Sequence, residues 1–430
     1  MSWLAFLALA IGLLLLLLLF AGARVFVGFL ALNLVGVLVL IGPRGFGLFS
    51  NSIYETATSP TLVTVALFVL MGEILFRSGT VDVLFRSVDT LVGRLRGRLY
   101  VVTIALSTVF GALSGSAVAV AAMLGRSVLP LMQERGYDTR RSASTILAGA
   151  SLAPIIPPSL LAIIVGSLAD VSIAGLLVAG LLPGLLFAGL TLAYVFLGAG
   201  SAPTVAREEG GASAGRAVLA MLPFLLVIFA VMGLIILGIA TPSESAATGV
   251  VGALIVAALF GRLDAEMIRQ TVTSAVTISV VILIIVASAK LFSQLLSLAG
   301  ATRGLVGLIT ELGLGPDLTF LVMMLIPFVL CMFIDQIAFM LLAIPIYQPI
   351  VAAFGFDPIW FWTLFMVNLT VGSLTPPFGY TLFALKGANP QLSTAAVFAA
   401  AWPVVGLFLV GMVVLWAVPD IVTLIPELLR

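Results

Sequence analysis

Apolar stretches of about 17–25 residues, each long enough to cross the hydrocarbon core of a membrane as a helix, follow one another along almost the whole chain. Single predicted spans cover 3–20, 25–42, 61–76, 142–168, 174–198, 217–238, 245–260, 272–298, 359–386 and 393–418, and two paired segments cover 99–133 and 317–352. The alternating pattern of a transmembrane β-barrel is absent. The pattern therefore predicts an all-α integral membrane protein, built as a multi-span helical bundle.

Composition supports this prediction and removes several classes of protein. Hydrophobic residues make up 62% of the chain and charged residues 9%, against about 45–50% and 25% in soluble domains. The net charge of +1 gives no reason to expect a nucleic-acid partner. Histidine is absent and Cys331 is the only cysteine, so we expect no transition-metal site and no internal disulfide. Any bound metal should be a hard cation held by oxygen atoms.

The first predicted span, Met1 to Phe20, has a leucine run but no basic segment before it and no clear small-residue cleavage site. We therefore expect a retained helix rather than a signal peptide.

Two parts of the chain share a skeleton of proline, glycine and aspartate at a constant spacing of 219 residues. The first part has Pro130, Gly136, Asp138, Pro157 and Pro158, and the second has Pro349, Gly355, Asp357, Pro376 and Pro377. The sequence contains no other Pro-Pro pair. In a membrane protein, matched Pro/Gly-interrupted segments in two halves indicate the binding site of a secondary transporter.

The Lys and Arg residues of short loops predict which side of the membrane each loop faces. Arginines flank the first paired segment on both sides, so both of its ends should be cytoplasmic. They are Arg77, Arg86, Arg94, Arg96 and Arg98 before it, and Arg126, Arg135, Arg140 and Arg141 after it. The second paired segment lies between Arg303 and 354–358, which has no basic residue, so it should open outward. Alternate counting places Arg24, Arg207, Arg216, Arg262, Arg269 and Lys386 inside and both termini outside.

These orientations predict two inverted repeats, each with a re-entrant hairpin followed by a broken helix. Repeat 1 covers 61–173, with its hairpin at about 99–133 and its broken helix at about 142–168. Repeat 2 covers 272–390, with its hairpin at about 317–352 and its broken helix at about 359–386. Residues 1–60 and 174–271 are expected to lie outside the repeat and to form scaffold helices, and 391–430 to form a C-terminal helix.

Ser114-Gly115-Ser116 lies inside the first paired segment. A hairpin that turns within a membrane leaves backbone groups at its tip that lipid cannot satisfy. Small residues and hydroxyl groups let such a tip approach other backbone and bind a cation through oxygen atoms. Ordinary close helix packing through small residues is the alternative.

The two Pro-Pro pairs fall in the middle of predicted spans, as Pro157-Pro158 before Ser159 and as Pro376-Pro377 after Thr375. Prolines remove amide donors and clash with preceding carbonyls, so neither helix can continue there. Each break frees backbone carbonyls, which can bind a cation. It also exposes the N-terminus of a half-helix, which can stabilise a carboxylate. A proline kink without ligands is the alternative.

Asp335 is the counterpart of Ser116 at the same spacing. An intramembrane carboxylate is costly and indicates function. Asp335 is expected to bind sodium and to hold the second hairpin tip by hydrogen bonds, and proton transfer is the alternative. Asn368 and Thr370 add oxygen atoms shortly before the second break. Lys290 is a substrate contact, the partner of a carboxylate on another helix, or a side chain that reaches the membrane surface.

Two kinds of helix start are also predicted. Thr241-Pro242-Ser243-Glu244 has the pattern of a capping box with proline at the first helical position. Asp138 and Asp357 are expected to cap the helices that follow them.

Together these segments resemble the large membrane subunit of tripartite ATP-independent periplasmic (TRAP) transporters, of the DctM-like C4-dicarboxylate type. The resembling motifs are Gly111-Ala-Leu-Ser-Gly-Ser116, Arg135-Gly-Tyr-Asp138, Ile155-Ile-Pro-Pro-Ser159, Thr241-Pro-Ser-Glu244, Phe333-Ile-Asp335, Gly355-Phe-Asp-Pro358 and Asn368-Leu-Thr-Val-Gly-Ser-Leu-Thr-Pro-Pro377. One departure is Ala117-Val-Ala-Val120, where many members carry an acidic residue.

The resemblance implies an elevator mechanism, in which a transport domain made of both repeats moves against a scaffold and sodium drives uptake. It implies one sodium site at Ser114, Gly115, Ser116, Pro157 and Pro158, and a second at Asp335, Thr375, Pro376 and Pro377. An organic acid would bind between them, and candidate contacts are Ser116, Ser159, Asn368, Thr370 and Lys290. Implied partners are a small four-helix membrane subunit, a periplasmic substrate-binding protein and the lipid of a bacterial inner membrane. No organic cofactor is expected.

Two other functions are alternatives to this one. A stand-alone ion-coupled carboxylate carrier shares inverted hairpins but needs no binding protein. An intramembrane lipid-modifying enzyme should carry an aspartate-rich metal motif or a His/Cys nucleophile, and the sequence has neither. We therefore expect a transporter and not an enzyme.

Overall fold

The computed structural model describes residues 25–78, 81–92, 97–197, 214–260 and 263–429. In chain order, its α-helices are α1 Val25–Leu40, α2 Phe46–Ala57, α3 Pro60–Arg77, α4 Val81–Val92, α5 Arg98–Ser114, α6 Ala117–Glu134, α7 Thr139–Ala150, α8 Leu160–Leu168, α9 Ile173–Ala179, α10 Leu181–Leu197, α11 Ala214–Ile236, α12 Pro242–Leu259, α13 Ala265–Leu298, α14 Ala301–Glu311, α15 Pro316–Leu330, α16 Gln336–Ala353, α17 Pro358–Leu374, α18 Tyr380–Ala388, α19 Thr394–Ala417 and α20 Asp420–Leu428. The predicted span 3–20 and Arg24, Arg94, Arg96, Arg207 and Arg262 lie outside the described ranges.

The described residues form helices and no β-strand. Six helical stretches among them are long and apolar enough to cross a membrane, namely Ile173–Leu197, Ala214–Ile236, Pro242–Leu259, Ala265–Leu298, Gln336–Ala353 and Thr394–Ala417. The prediction of an all-α integral membrane protein is confirmed.

The spacing of 219 residues found for single residues also holds for the first and last residues of the helices in the two halves. Adding 219 to the bounds of α6 gives 336–353, the bounds of α16. The same operation on α8 gives 379–387, within one residue of α18 at each end, and on α4 it gives 300–311, within one residue of α14. The chain therefore contains two copies of one helix order, each with a hairpin (α5–α6 or α15–α16) and a broken helix (α7–α8 or α17–α18).

The repeat also extends into helices that the sequence predicts to lie outside it. Adding 219 to the bounds of α1 gives 244–259, and α12 covers Pro242–Leu259. The segment 46–77, which holds α2 and α3, corresponds to 265–296, and α13 covers Ala265–Leu298. Almost the whole of each half is duplicated, and at the same spacing α11 corresponds to the predicted span 3–20, which lies outside the described residues.

A proline explains the main difference between these scaffold copies. Pro60 opens α3, and the helical segments on its two sides are bent by 50°. Proline lacks an amide donor, and it keeps the preceding residue, Ser59, away from helical backbone angles. The corresponding positions in the second copy are Ile278 and Ser279, which impose neither restriction. Thus α13 is one helix of 34 residues.

The scaffold helices pack around the pair formed by α3 and α13. A Cβ atom on Gly249 of α12 would lie 2.5 Å from the sulfur of Met71 in α3, so this crossing requires glycine. On the other side, the Asn33 amide of α1 donates to the Ser288 carbonyl of α13 at 2.7 Å, and Ser52 Oγ of α2 donates to the Ala287 carbonyl at 2.9 Å. Each copy thus fastens its first helix to the long helix of the other copy.

The predicted helix starts are confirmed. Thr241 and Glu244 form the reciprocal capping box, and the Glu244 carboxylate accepts from the Thr241 amide at 2.8 Å. Asp138 accepts from the Arg141 amide at 2.7 Å and Asp357 from the Trp360 amide at 2.8 Å. The two aspartates therefore start α7 and α17, the first halves of the broken helices.

Candidate transport site

The tip of the first hairpin consists of the two residues between α5 and α6. Gly115 has a φ of +60°, in the left-handed region that favours glycine, and its amide donates to the Gly111 carbonyl at 2.7 Å. Ser116 is the N-cap of α6, and its Oγ accepts from the Ala119 amide at 3.3 Å. Ser114 Oγ accepts from the Ser116 amide at 3.3 Å. The turn is tight because glycine allows it, and two hydroxyl oxygens lie at its edge.

The tip of the second hairpin is longer, with the five residues 331–335 between α15 and α16, and it has a carboxylate at the position that corresponds to Ser116. Asp335 is the N-cap of α16, and its Oδ1 accepts from the amides of Ile337 at 2.9 Å and Ala338 at 3.2 Å. Oδ2 has no partner among the described residues, and the Asp335 side chain is exposed. One carboxylate oxygen therefore holds the tip together while the other is available to a cation.

The first helix break covers residues 151–159, between α7 and α8. It contains Pro154, Pro157 and Pro158, and the Pro157–Pro158 peptide bond is cis. Ser159 closes the break as the N-cap of α8: its Oγ donates to the Pro154 carbonyl at 2.6 Å and accepts from the Ala162 amide at 3.2 Å. Ser159 is buried, so its hydroxyl is committed to this turn.

The second break is shorter and covers residues 375–379, between α17 and α18. It contains the cis Pro376–Pro377 bond. The counterpart of Pro154 is Ser373, which keeps its amide, so α17 continues through Leu374 where α7 has already ended. Thr375 Oγ1 donates to the Val371 carbonyl at 2.7 Å. A Cβ atom on Gly379 would lie 2.6 Å from the Ser373 carbonyl oxygen, so the turn into α18 requires glycine.

In both copies the hairpin packs closely on the break of its own copy. A Cβ atom on Gly111 of α5 would lie 2.9 Å from the Cα of Ala153 in the first break. In the second copy the glycine is on the broken helix instead of the hairpin. A Cβ atom on Gly372 of α17 would lie 2.5 Å from the Cβ of Cys331 at the end of α15. Positions 153 and 372 correspond at the 219-residue spacing. The same crossing is thus made close by a different glycine in each copy.

These crossings bring parts of each predicted sodium site close to one another. Ser114, Gly115 and Pro158 line one small cavity, which α3 closes with Phe68 and Met71. In the second copy, the ring centroids of Phe333 and Phe378 are 6.0 Å apart, which joins the segment before Asp335 to the segment after Pro377.

The predicted substrate contacts differ in their surroundings. Asn368 and Thr370 of α17 are buried. The Asn368 amide donates to the Met324 carbonyl of α15, and Thr370 Oγ1 donates to the Met366 carbonyl at 2.9 Å. Lys290 lines a separate cavity, to which none of the other predicted site residues contributes. The described structure groups Ser114 and Gly115 with Pro158 of the first break and leaves Lys290 apart from them.

Sequence reasoning missed the exposed aromatic pair beside the second site. Phe333 is 52% exposed and Phe378 is 60% exposed. In an apolar span a phenylalanine looks like any other lipid-facing or core residue. Their closeness in sequence to predicted site residues could have identified them, since Phe333 lies two residues before Asp335 and Phe378 directly follows Pro377.

Two copies of a hairpin seated on a broken helix, in a bundle of apolar spans, define a secondary membrane transporter. Comparison with known proteins identifies its family. The family model described as "Tripartite ATP-independent periplasmic transporter, DctM component" matches residues 11–421. The chain belongs to this family of TRAP transporter large permease subunits. Its relatives are transporter permeases and not enzymes, and the family implies an inner-membrane location with a small membrane subunit and a periplasmic binding protein as partners.

Relatives at about 30% identity are named for different solutes. The chain is 30% identical to the ectoine/5-hydroxyectoine TRAP transporter large permease of Ruegeria pomeroyi, over 75% of this chain and 76% of the relative. It is 29% identical to the C4-dicarboxylate large permease of Pseudomonas aeruginosa, over 92% and 94%. It is also 29% identical to the sialic acid TRAP permease of Haemophilus influenzae, over 88% of this chain and 61% of the relative.

Solved structures support the fold. The YdaH transporter of Alcanivorax borkumensis superposes with a TM-score of 0.63 at 14% identity, covering 88% of this chain and 89% of that one. MtrF of Neisseria gonorrhoeae superposes with a TM-score of 0.57 at 14% identity, covering 88% and 85%.

Proposed function

We propose that this permease imports an organic acid together with sodium, by movement of the two hairpin and broken-helix units against the α3–α13 scaffold. The observation that carries the proposal is the pairing of each hairpin tip with the Pro-Pro break of its own copy. Such a pairing concentrates oxygen atoms and half-helix ends in the interior of a membrane protein, where ions are otherwise costly.

The first site would bind sodium through hydroxyl and carbonyl oxygens of Ser114, Gly115, Ser116, Pro157 and Pro158. These residues carry no formal charge, so the ion would be held by dipoles alone. Sodium is a hard cation and accepts such oxygen ligands. The small cavity shared by the tip and the break supports this assignment.

The second site would bind sodium through Asp335, Thr375, Pro376 and Pro377. Here one Asp335 carboxylate oxygen has no partner among the described residues, and a cation would balance its charge. The residues fit a hard cation, because every proposed ligand offers oxygen.

The substrate would bind between the two sites, with its carboxylate near the sodium ions and the α6 and α8 N-termini. Ser116 and Ser159 begin those helices. Asn368 and Thr370 are further proposed contacts. The relatives are named for ectoine, C4-dicarboxylates and sialic acid, so we propose a small carboxylate without naming one.

Reconstitution tests this function. The permease is placed in liposomes with its small membrane subunit, and a binding protein encoded beside it is added with labelled solute. We expect uptake that requires a sodium gradient and all three components. Uptake by the permease alone would instead favour the stand-alone carrier, and full uptake without sodium would contradict sodium coupling.

A further inference from the structure

A second polar cavity lies away from the hairpin tips, between the scaffold and the end of the first broken helix. Its volume is about 400 Å³, within the range of roughly 300–1,000 Å³ that is usual for small-molecule sites. Its polar and scaffold-side lining includes Ser59, Ser167, Asp170, Ser172, Pro242 and Lys290. We call it the outer vestibule, because loop charges place these residues on the periplasmic side.

Among the described residues, Lys290 is the only cation that lines the outer vestibule. It lies on α13 eight residues before the end of that helix at Leu298, and its side chain is half-buried. Its ammonium makes no hydrogen bond or ion pair with any described residue. A charge that is partly removed from water without a partner is unfavourable, so the vestibule favours an anion.

Asp170 lines the same cavity. It lies two residues after the end of α8, the second half of the broken helix, and has a φ of 54°, in the left-handed region that few residues other than glycine adopt. Asp170 is exposed and does not lie within ion-pair distance of Lys290. The two opposite charges thus face one cavity without neutralising each other, and they belong to parts that the elevator mechanism would move relative to each other.

We propose that the outer vestibule is a carboxylate-binding site, in which Lys290 receives the carboxylate of the substrate before the solute reaches the hairpin tips. Asp170 is the internal competitor, which pairs with Lys290 when the vestibule is empty and closed. The site recognises the carboxylate group rather than the rest of the solute. Its role in import rests on the proposed function, whereas carboxylate binding at Lys290 does not.

The chain offers a sharp chemical test, because Lys290 and Lys386 are its only lysines. Lys386 is predicted to be cytoplasmic and donates to the Pro390 carbonyl at 2.7 Å. Cells or spheroplasts containing the full complex are treated with sulfo-N-hydroxysuccinimide acetate, an amine reagent that does not cross membranes. Peptide mass spectrometry then quantifies acetylation at each lysine, before and after permeabilisation. Lys386→Arg removes the inner lysine as a control.

We expect Lys290 to be acetylated in intact cells and Lys386 only after permeabilisation. Malate and pyruvate should slow acetylation of Lys290, and chloride at equal ionic strength should not. Asp170→Asn should strengthen the protection by carboxylates. The proposal is overturned if Lys290 reacts only from the inside, if it does not react at all, or if neither carboxylate slows its reaction.

Uptake kinetics supply the second measurement. Lys290→Gln should raise the KM for solute uptake about fivefold with kcat unchanged, which corresponds to about 1 kcal/mol for a partly exposed ion pair. Lys290→Arg should keep most of the affinity. An unchanged KM in Lys290→Gln contradicts the proposal. Loss of sodium coupling in the unmodified complex would contradict the proposed function, but it would leave the labelling result intact, so the two failures are distinguishable.

Discussion

Ser116 and Asp335 occupy the same position in two copies of one hairpin, since each is the N-cap of the second helix and each accepts from the amide three residues later. One side chain is neutral and the other can carry a full negative charge. The two tips therefore share the helix cap and differ in length and in electrostatics. Two cation sites built on these tips would differ in the charge of their protein ligands, because one has a carboxylate and the other only neutral oxygens.

Replacement of Asp335 by Asn should weaken sodium binding without unfolding the hairpin. Asn caps helices about as well as Asp, so the turn is retained while the charge is lost. The sodium concentration for half-maximal uptake should rise by about tenfold or more, as expected for the loss of one charged ligand. Sodium titration of uptake in proteoliposomes measures this. Asp357→Asn, which changes a cap at the other end of the hairpin, should leave the titration unchanged.

Ser116→Ala should reduce sodium-dependent uptake for two reasons, the loss of a ligand oxygen and the loss of a helix cap worth about 1 kcal/mol. Ser116→Thr keeps the hydroxyl and should retain most uptake. Ser393→Ala is the matched control, because Ser393 caps α19 through the Ala396 amide at 3.1 Å and lies away from both tips. If both Asp335→Asn and Ser116→Ala kept normal sodium dependence, the sodium sites would have to be placed elsewhere.

The inversion of the two copies can be tested with one pair of equivalent residues. Glu134 ends α6 and Ala353 ends α16 at the 219-residue spacing, and both are exposed. In a Cys331→Ala background, Glu134→Cys should react with an impermeant maleimide only after permeabilisation, and Ala353→Cys should react in intact cells. Reaction of both from the same side would show that the copies are parallel.

Gly372→Ala should destabilise the second copy, because the new Cβ atom would overlap Cys331. Overpacking of this kind costs about 1–3 kcal/mol, which thermal unfolding in detergent should detect. Cys331→Gly in the same chain should recover part of the loss by removing the facing Cβ. Gly387→Ala is the control, since nothing lies within 4 Å of the added atom. Equal melting temperatures for Gly372→Ala and the parent protein would mean that the crossing is less tight than described.

The sequence predicted those parts of the fold that depend on particular residue types. Prolines at 157–158 and 376–377 break helices wherever they stand in a span, and Asp138 and Asp357 cap through their own side chains. These local effects are visible without neighbours. The duplication of α1 as α12 was not visible in the sequence. The two helices share an apolar composition, but they do not have the same residues at matching positions.

Side-chain partners were the part of the site that sequence could not supply. Asn368 looked like an available ligand at the right depth, yet its amide donates to the Met324 carbonyl on another helix. Lys290 had three open interpretations, and only the packing of α13 beside Asp170 placed it in a cavity of its own. Depth in the membrane follows from position along the chain, whereas the direction a side chain faces depends on which helices pack together.

The membrane crossing made by α11, between α10 and α12, decides the relative direction of the two copies. By the predicted orientations, the first copy begins and ends on the cytoplasmic side, because it crosses the membrane an even number of times. A second copy joined directly to it would start on the same side and run parallel. The crossing by α11, which matches the predicted span 3–20 at the 219-residue spacing, shifts the start of α12 to the opposite face. With that span included, each copy crosses the membrane an odd number of times, so a direct tandem duplication gives two oppositely directed halves.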